Sequence, residues 1–286
     1  MKEIDIPVVG VGPGTQPTEE DGAQLDYMIL PDAMDTYTMP VIDSHEDGAS
    51  LEAARTVLKD LLRALTSCRD HTLPTVLDIT ELDSDNRALI DQVLGDGEVS
   101  AVIAGNRPAQ IQESVLAGVW RVQYLNGTRA LTRDTIEVAT VPGPIYPAAG
   151  TQQIFTGAVN PEQVPEGVIN ALPVIAELAD KSGNYRPGEE THVVNLTLLP
   201  QTEADISYLA EVLGQGDITI LSRGYGNCRI ASTASRNIWW VQYFNSQDSL
   251  ILNTLEVTDV PLVACAAPED IEDSIGRLRE IMEVYL

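Results

Sequence analysis

Basic residues, cysteine and histidine are all scarce in this chain of 286 residues, and each shortage excludes something. Seventeen Lys and Arg stand against 43 Asp and Glu, a formal net charge of −26. So acidic a surface repels nucleic-acid backbones and anionic membranes, so neither is an expected partner, whereas a basic partner would be attracted. The charge alone also fits a plain solubilising surface. The three cysteines, Cys68, Cys228 and Cys265, form no C-x-x-C pair. An odd number without metal-ligand spacing points to a reducing compartment and no disulfide framework. His45, His71 and His192 fall in no ligand pattern, and Cys68-x-x-His71 alone is too short a signal to carry one. No apolar run reaches membrane-spanning length. The start, MKEIDIPVVG, lacks the basic region and apolar run of a signal peptide. The expected location is the cytoplasm. Catalytic motifs are missing too: no G-x-S-x-G, Walker A loop, H-E-x-x-H or strand-linked G-x-G-x-x-G occurs. GVGPG near the start has neither the G-K-[ST] nor the helix that a phosphate loop needs. Carboxylates are too frequent for Asp78 or Glu137 to stand out as a general base. The residues themselves single out no catalytic group, and no metal or cofactor is expected.

What is present is a duplication. Leu94–Pro142 reads LGDGEVSAVIAG, VWRVQYLN and LTRDTIEVATVP; Leu213–Pro261 reads LGQGDITILSRG, IWWVQYFN and LILNTLEVTDVP. The offset is 119 residues throughout, without a gap, and 16 of the 49 positions are identical. They include Gly95/Gly214, Gly97/Gly216, Trp120/Trp239, Val122/Val241, Gln123/Gln242, Tyr124/Tyr243, Asn126/Asn245, Glu137/Glu256 and Pro142/Pro261. A period this long means two related folding units rather than a solenoid.

Along the chain, residues 1–48 carry Gly, Pro, acid and scattered anchors such as Tyr27, Met28, Leu30, Met34 and Tyr37, without a helical or strand period. They read as an extended arm that lies along a domain or orders on a partner. Residues 49–141 form the first repeat. Leu51, Ala54, Leu58, Leu61 and Leu65 mark one face of a helix over Ala49–Leu65. TVLDIT after Pro74 is a strand. Ser84 caps a helix ending at Gly95. Glu98–Ala104, Ile111–Leu116, Val119–Leu125 and Leu131–Val141 read as strands, with Asn126-Gly127 as a hairpin signal. Residues 142–164 are a Pro/Gly-rich linker. Residues 165–286 repeat the plan: a helix over 165–180 that Pro173 kinks or restarts, a strand over His192–Leu199, and a helix with a Thr202/Asp205 capping box. Strands follow at Asp217–Ser222, Arg229–Ala234, Ile238–Phe244 and Leu250–Val260, then a helix over Glu269–Val284. The fold class is α+β: two duplicated domains, each with helices packed on a mainly antiparallel sheet.

Neighbours in a strand face opposite ways, so Trp239, Val241 and Tyr243 share one face, and Trp240, Gln242 and Phe244 the other. The first face is read as core. Trp240 stands where the first repeat has Arg121, and is either covered by the arm or the other domain or left for a partner. The recurring Glu137/Glu256 and Gln123/Gln242 read as cross-strand pairs. Cys228, in the Gly-rich SRGYGNCRI, and Cys265 read as buried thiols.

The stretch SRGYGNCRIASTASRNIWWVQYFNSQDSLILNTLEVTDVPLVACAAPEDIEDSIGRLREI resembles the HupH/HyaF/HoxQ family of hydrogenase expression/formation proteins. IPVVGVGPGTQP…LDYMILPDAMDTYTMP is similar to that family's N-terminal region, and LGDGEVSA…VWRVQY to its first repeat. The resemblance covers nearly the whole chain. It implies a cytoplasmic, non-enzymatic chaperone or scaffold in maturation of a [NiFe]-hydrogenase, working with other hydrogenase accessory proteins. The implied partner is an immature subunit: the iron–sulfur small subunit precursor before export, with the large subunit precursor as alternative. It carries over no catalytic residues. Motif residues Arg223, Gly224, Tyr225, Gly226, Asn227, Cys228, Trp240 and Gln242 become candidates for partner contact. The rival reading is an iron–sulfur cluster carrier using Cys228 and Cys265. A hydrolase using carboxylates has only the acid content behind it.

Overall fold

Helical spacing of Ala54, Leu58, Leu61 and Leu65 winds Glu52–Ser67 into α1, with those four side chains buried. The computed structural model describes residues 51–68, 73–146, 152–224 and 226–285, all of one unit. The arm expected over residues 1–48 and Tyr225 lie outside the described residues. After α1 come β1 (Thr75–Asp78), α2 (Ser84–Leu94), β2 (Val99–Ile103), β3 (Ala109–Glu113), β4 (Val119–Leu125) and β5 (Leu131–Val138). The second repeat supplies α3 (Ala171–Asn184), β6 (His192–Asn195), α4 (Glu203–Leu213), β7 (Gln215–Ser222), β8 (Asn227–Thr233), β9 (Ile238–Phe244), β10 (Leu250–Val257) and α5 (Pro268–Tyr285). The fold is α+β.

The two repeats are halves of one sheet. Its order is β1-β5-β4-β3-β2-β7-β8-β9-β10-β6, antiparallel at every pairing. β2 and β7 occupy the same place in each repeat, and they pair with each other. The register centres on Ala101 opposite Ile220, which are themselves equivalent at the repeat offset. The join is therefore a pseudo-twofold axis. A row of directly paired residues crosses eight strands: Thr135, Val122, Ile111, Ala101, Ile220, Ile230, Val241 and Thr254. All eight are buried, so this face is a core shared by both halves. Trp120 and Trp239 lie on it at 2% and 1% exposure, their indole N–H groups donating to the Ala139 and Asp259 carbonyls at 2.9 and 3.1 Å. Burying side chains this large contributes about 2–3 kcal/mol each.

The opposite face carries the paired helices. In the first half α1 and α2 cover it; in the second half α3 and α4 do. Each pair is tied by one polar side chain at the repeat offset. Asn86 of α2 accepts the Ala54 N–H of α1 at 2.7 Å. Asp205 of α4 accepts the N–H groups of Ile169, Asn170 and Ala171 at the start of α3, and closes the Thr202 capping box of its own helix. Buried donors at a helix start need such acceptors. Pro173 falls in the first turn of α3, where its missing N–H costs nothing, so α3 begins at Ala171 without a kink. α2 is capped by Asp83 rather than Ser84, because the carboxylate of Asp83 accepts both the Asp85 and Asn86 N–H groups.

Other repeated residues have local reasons. A Cβ on Gly97 would lie 2.4 Å from the Ser114 carbonyl oxygen, and one on Gly216 2.5 Å from that of Thr233. Asn126 and Asn245 each fold their hairpin loop by accepting two N–H groups, from Thr128 and Ala130, and from Gln247 and Ser249. The left-handed residue of that loop is Arg129 in one copy and Asp248 in the other, so the turn is longer than a two-residue Asn-Gly turn.

Past β5 and β10, where the sequence pattern continues as strand to Val141 and Val260, the chain leaves the ladder for single 3-10 turns, Gly143–Ile145 and Leu262–Ala264. Each following segment crosses to the other half. Residues 152–158 of the linker bridge Gln153 to Ser235, bury Phe155 and lie against α3 at Gly157. Reciprocally, Ala266 N–H donates to the Thr140 carbonyl, and α5 packs on α1 with Ile271 against Gly118.

Candidate functional site

On the shared face, toward β1, the sheet is open. A groove of about 1220 Å³ is bounded by Leu73–Val76, the end of β2, the Gly143–Tyr146 turn, segment 152–158 and the start of β7. β1 is the last strand of the sheet, and Val76 pairs directly with Glu137, so both side chains face the groove. Glu137 is 2% exposed. Its carboxylate accepts the Tyr124 hydroxyl at 2.9 Å and the Gly143 N–H at 2.8 Å. Both donors are neutral. Burial and the neighbouring Glu137 push the Tyr124 phenol above its ordinary value, so it stays a donor. The nearby Arg133 is engaged with Asp78 and stacks on the Tyr124 ring. Leu73, Val76, Tyr146 and Ile154 rim the groove and are exposed at 91, 42, 45 and 68%. Four large apolar side chains around one concavity make the kind of surface that macromolecular partners cover.

The equivalent region of the second half differs. There Glu256 accepts the Thr254 hydroxyl at 3.2 Å, and its titratable neighbours are the buried Cys228 thiol and the Tyr243 phenol. Cys228 is buried and its pKa is pushed up to about 12 by burial; Cys265 is pushed up to about 11 by the same cause. Among the described residues no three His, Cys, Asp or Glu side chains are grouped to hold a metal ion. His192 is bonded to Glu177 at 2.8 Å; His45 and His71 lie outside the described residues.

The family-motif residues separate onto two faces. Arg223, Gly224, Gly226, Asn227 and Cys228 form the β7–β8 turn and the start of β8. Trp240 and Gln242 point to the helix side. Trp240 is covered by its own half, packed on the α3–α4 core, and its N–H donates to Asn253. The first repeat places Arg121 and Asp134 at these positions. Asp134, fully buried, is gripped by Arg121 and Arg87. One repeat thus fills the site with an ion pair, the other with an indole and an amide. The recurrence of Glu137 was legible in the sequence. The groove was not, because residues far apart in the chain wall it.

The family described as "HupH hydrogenase expression protein, C-terminal conserved region" matches residues 51–154 and 168–285, most of both repeats. The chain belongs to the HupH family. Among HupH-family relatives, the hydrogenase expression/formation protein HoxQ of Cupriavidus necator is 47% identical over 285 residues, covering 99% of this chain and 98% of that one. Hydrogenase expression/formation protein HupH of Rhodobacter capsulatus is 44% identical over 283 residues, covering 99% and 98%. A solved structure, hydrogenase expression protein HupH from Thiobacillus denitrificans, is 26% identical and aligns with a TM-score of 0.38, covering 40% of this chain and 96% of that one. Among the described residues of this HupH-family chain, no helix is long and apolar enough to cross a membrane.

Proposed function

We propose that this HupH-family protein serves hydrogenase expression and formation by binding: it holds an immature [NiFe]-hydrogenase subunit in the cytoplasm, without catalysing a reaction. The names of relatives alignable over nearly their whole length support the role. The observation that carries the binding reading is the open groove, where Leu73, Val76, Tyr146 and Ile154 leave large apolar surface in water on an otherwise acidic molecule. The iron–sulfur small subunit precursor is the proposed partner, with the large subunit precursor second. The rival reading is a cluster carrier using Cys228 and Cys265.

The test is co-purification from hydrogenase-producing cells with tagged protein, identifying the recovered proteins by mass spectrometry. The small subunit precursor is the expected catch. Recovery of the large subunit precursor alone would move the role to the other branch of assembly. Recovery of neither, in cells that make both, would overturn the proposal. Iron and sulfide analysis after anaerobic purification decides the carrier reading: stoichiometric cluster on the protein would establish it.

A further inference from the structure

Resting on that binding reading, we propose that the groove beside β1 takes an extended segment of a basic polypeptide and seats an arginine or lysine side chain against Glu137. Three observations converge. The first is charge. Glu137 is held at 2% exposure, and among the described residues its donors are neutral, the Tyr124 hydroxyl and the Gly143 N–H. Arg133, the cation beside it, is engaged by Asp78. Arg107 and Asp217 on the far wall are both exposed and offset each other in charge. The chain around them carries −26. A carboxylate accepts up to about four hydrogen bonds, so this one has capacity left for a guanidinium or ammonium group.

The second is shape. β1 ends the sheet, its described ladder runs only to β5, and it borders the groove. An extended segment laid there meets unpaired main-chain groups on one side, and alternate side chains drop into the groove. Exposed Leu73, Val76, Tyr146 and Ile154 take the apolar side chains of that segment. The third is the comparison within the molecule. The repeat partner of Glu137 is Glu256, whose carboxylate accepts the Thr254 hydroxyl of its own strand beside the buried Cys228 thiol. The two carboxylates are equivalent in sequence, and Glu137 alone lines the groove.

The test uses the full chain and three labelled ten-residue peptides followed by fluorescence anisotropy: alternating valine and arginine, the same with citrulline for arginine, and the same with glutamate. The arginine peptide is expected to bind, with the citrulline peptide roughly tenfold weaker or worse, since a charge-assisted bond contributes at least that much. Glu137→Gln, which keeps an acceptor for Tyr124, should weaken the arginine peptide as much. Val76→Asn, on the exposed rim, should weaken all the valine-containing peptides by removing apolar contact without adding charge. Glu256→Gln should change nothing. Equal binding of the arginine and glutamate peptides, or full affinity in Glu137→Gln, overturns the proposal. In co-purification, a subunit captured by wild type but lost from Glu137→Gln supports the groove. Equal capture by both overturns it while leaving the binding function intact. No capture by wild type overturns the function itself, and the peptide titration still decides the groove.

Discussion

Replacing Glu113 by Gln should stabilise the protein in mildly alkaline solution and do much less in acid. Glu113 ends β3 at 8% exposure, with Glu98 and Asp270 as charged neighbours. Burial first, and then those two carboxylates, push its pKa up to about 7 from an ordinary 4.5, against the pull of the Val99 and Gly118 N–H groups. The folded protein therefore holds a proton that the unfolded chain has released. Below pH 4.5 both states are protonated and the group contributes nothing. Between 4.5 and about 7 the unfolded chain binds fewer protons, so stability falls as pH rises; above 7 the full cost remains. The gap between 4.5 and about 7 corresponds to roughly 3 kcal/mol. Urea unfolding of wild type and Glu113→Gln from pH 4 to pH 9 measures it. The variant's advantage should grow through that window by about 3 kcal/mol and then level off. A flat difference, or an advantage that shrinks with pH, would refute the argument.

Asp205→Ala should cost about 2 kcal/mol or more by urea unfolding at pH 7, since it uncaps α3 and α4 together. Burial alone would raise the Asp205 pKa, but N–H donors from Thr202, Ile169 and Ala171 bring it down to about 2; its contribution is present above pH 3.8 and lost as pH falls toward 2, so the cost should shrink in acid. Trp240→Arg should destabilise strongly, and adding Asn253→Asp should recover at least about 1 kcal/mol by importing the first repeat's ion pair; an additive double mutant would show that the two repeats do not exchange these pairs. Alkylation of Cys228 by iodoacetamide at pH 8 should be roughly a hundredfold slower in the native protein than in urea, because burial withholds both access and thiolate.

Local structure was legible where one period ran uninterrupted. Val119–Leu125 and Ile238–Phe244 were read to the residue because alternation is clean and hairpin loops bound them. Strand ends are hidden where apolar residues continue past the ladder, as at Val141 and Val260, since hydrophobicity reports burial and not pairing. The capping box of Thr202 was legible in full, but the reach of Asp205 to the start of α3 was not. That reach needs the angle between two helices, which no spacing encodes. The joining of the repeats into one sheet was equally hidden: β2 and β7 alternate like the strands beside them, and no residue marks which edge meets which. Glu137 stood out by recurring, yet what distinguishes it from Glu256 is the path of residues 143–146 and 152–158 over the sheet.

The register centred on Ala101 and Ile220 has a consequence for how the chain is made. During synthesis the first repeat emerges complete except for the neighbour of β2, and α1 waits for α5. β2 remains a bare edge until Gln215–Ser222 follows. At roughly 5–20 residues per second that interval is on the order of ten seconds. For its duration two nascent first halves can pair with each other through the same self-complementary edge. The fused second copy, being tethered, meets that edge at a far higher effective concentration than a second chain does.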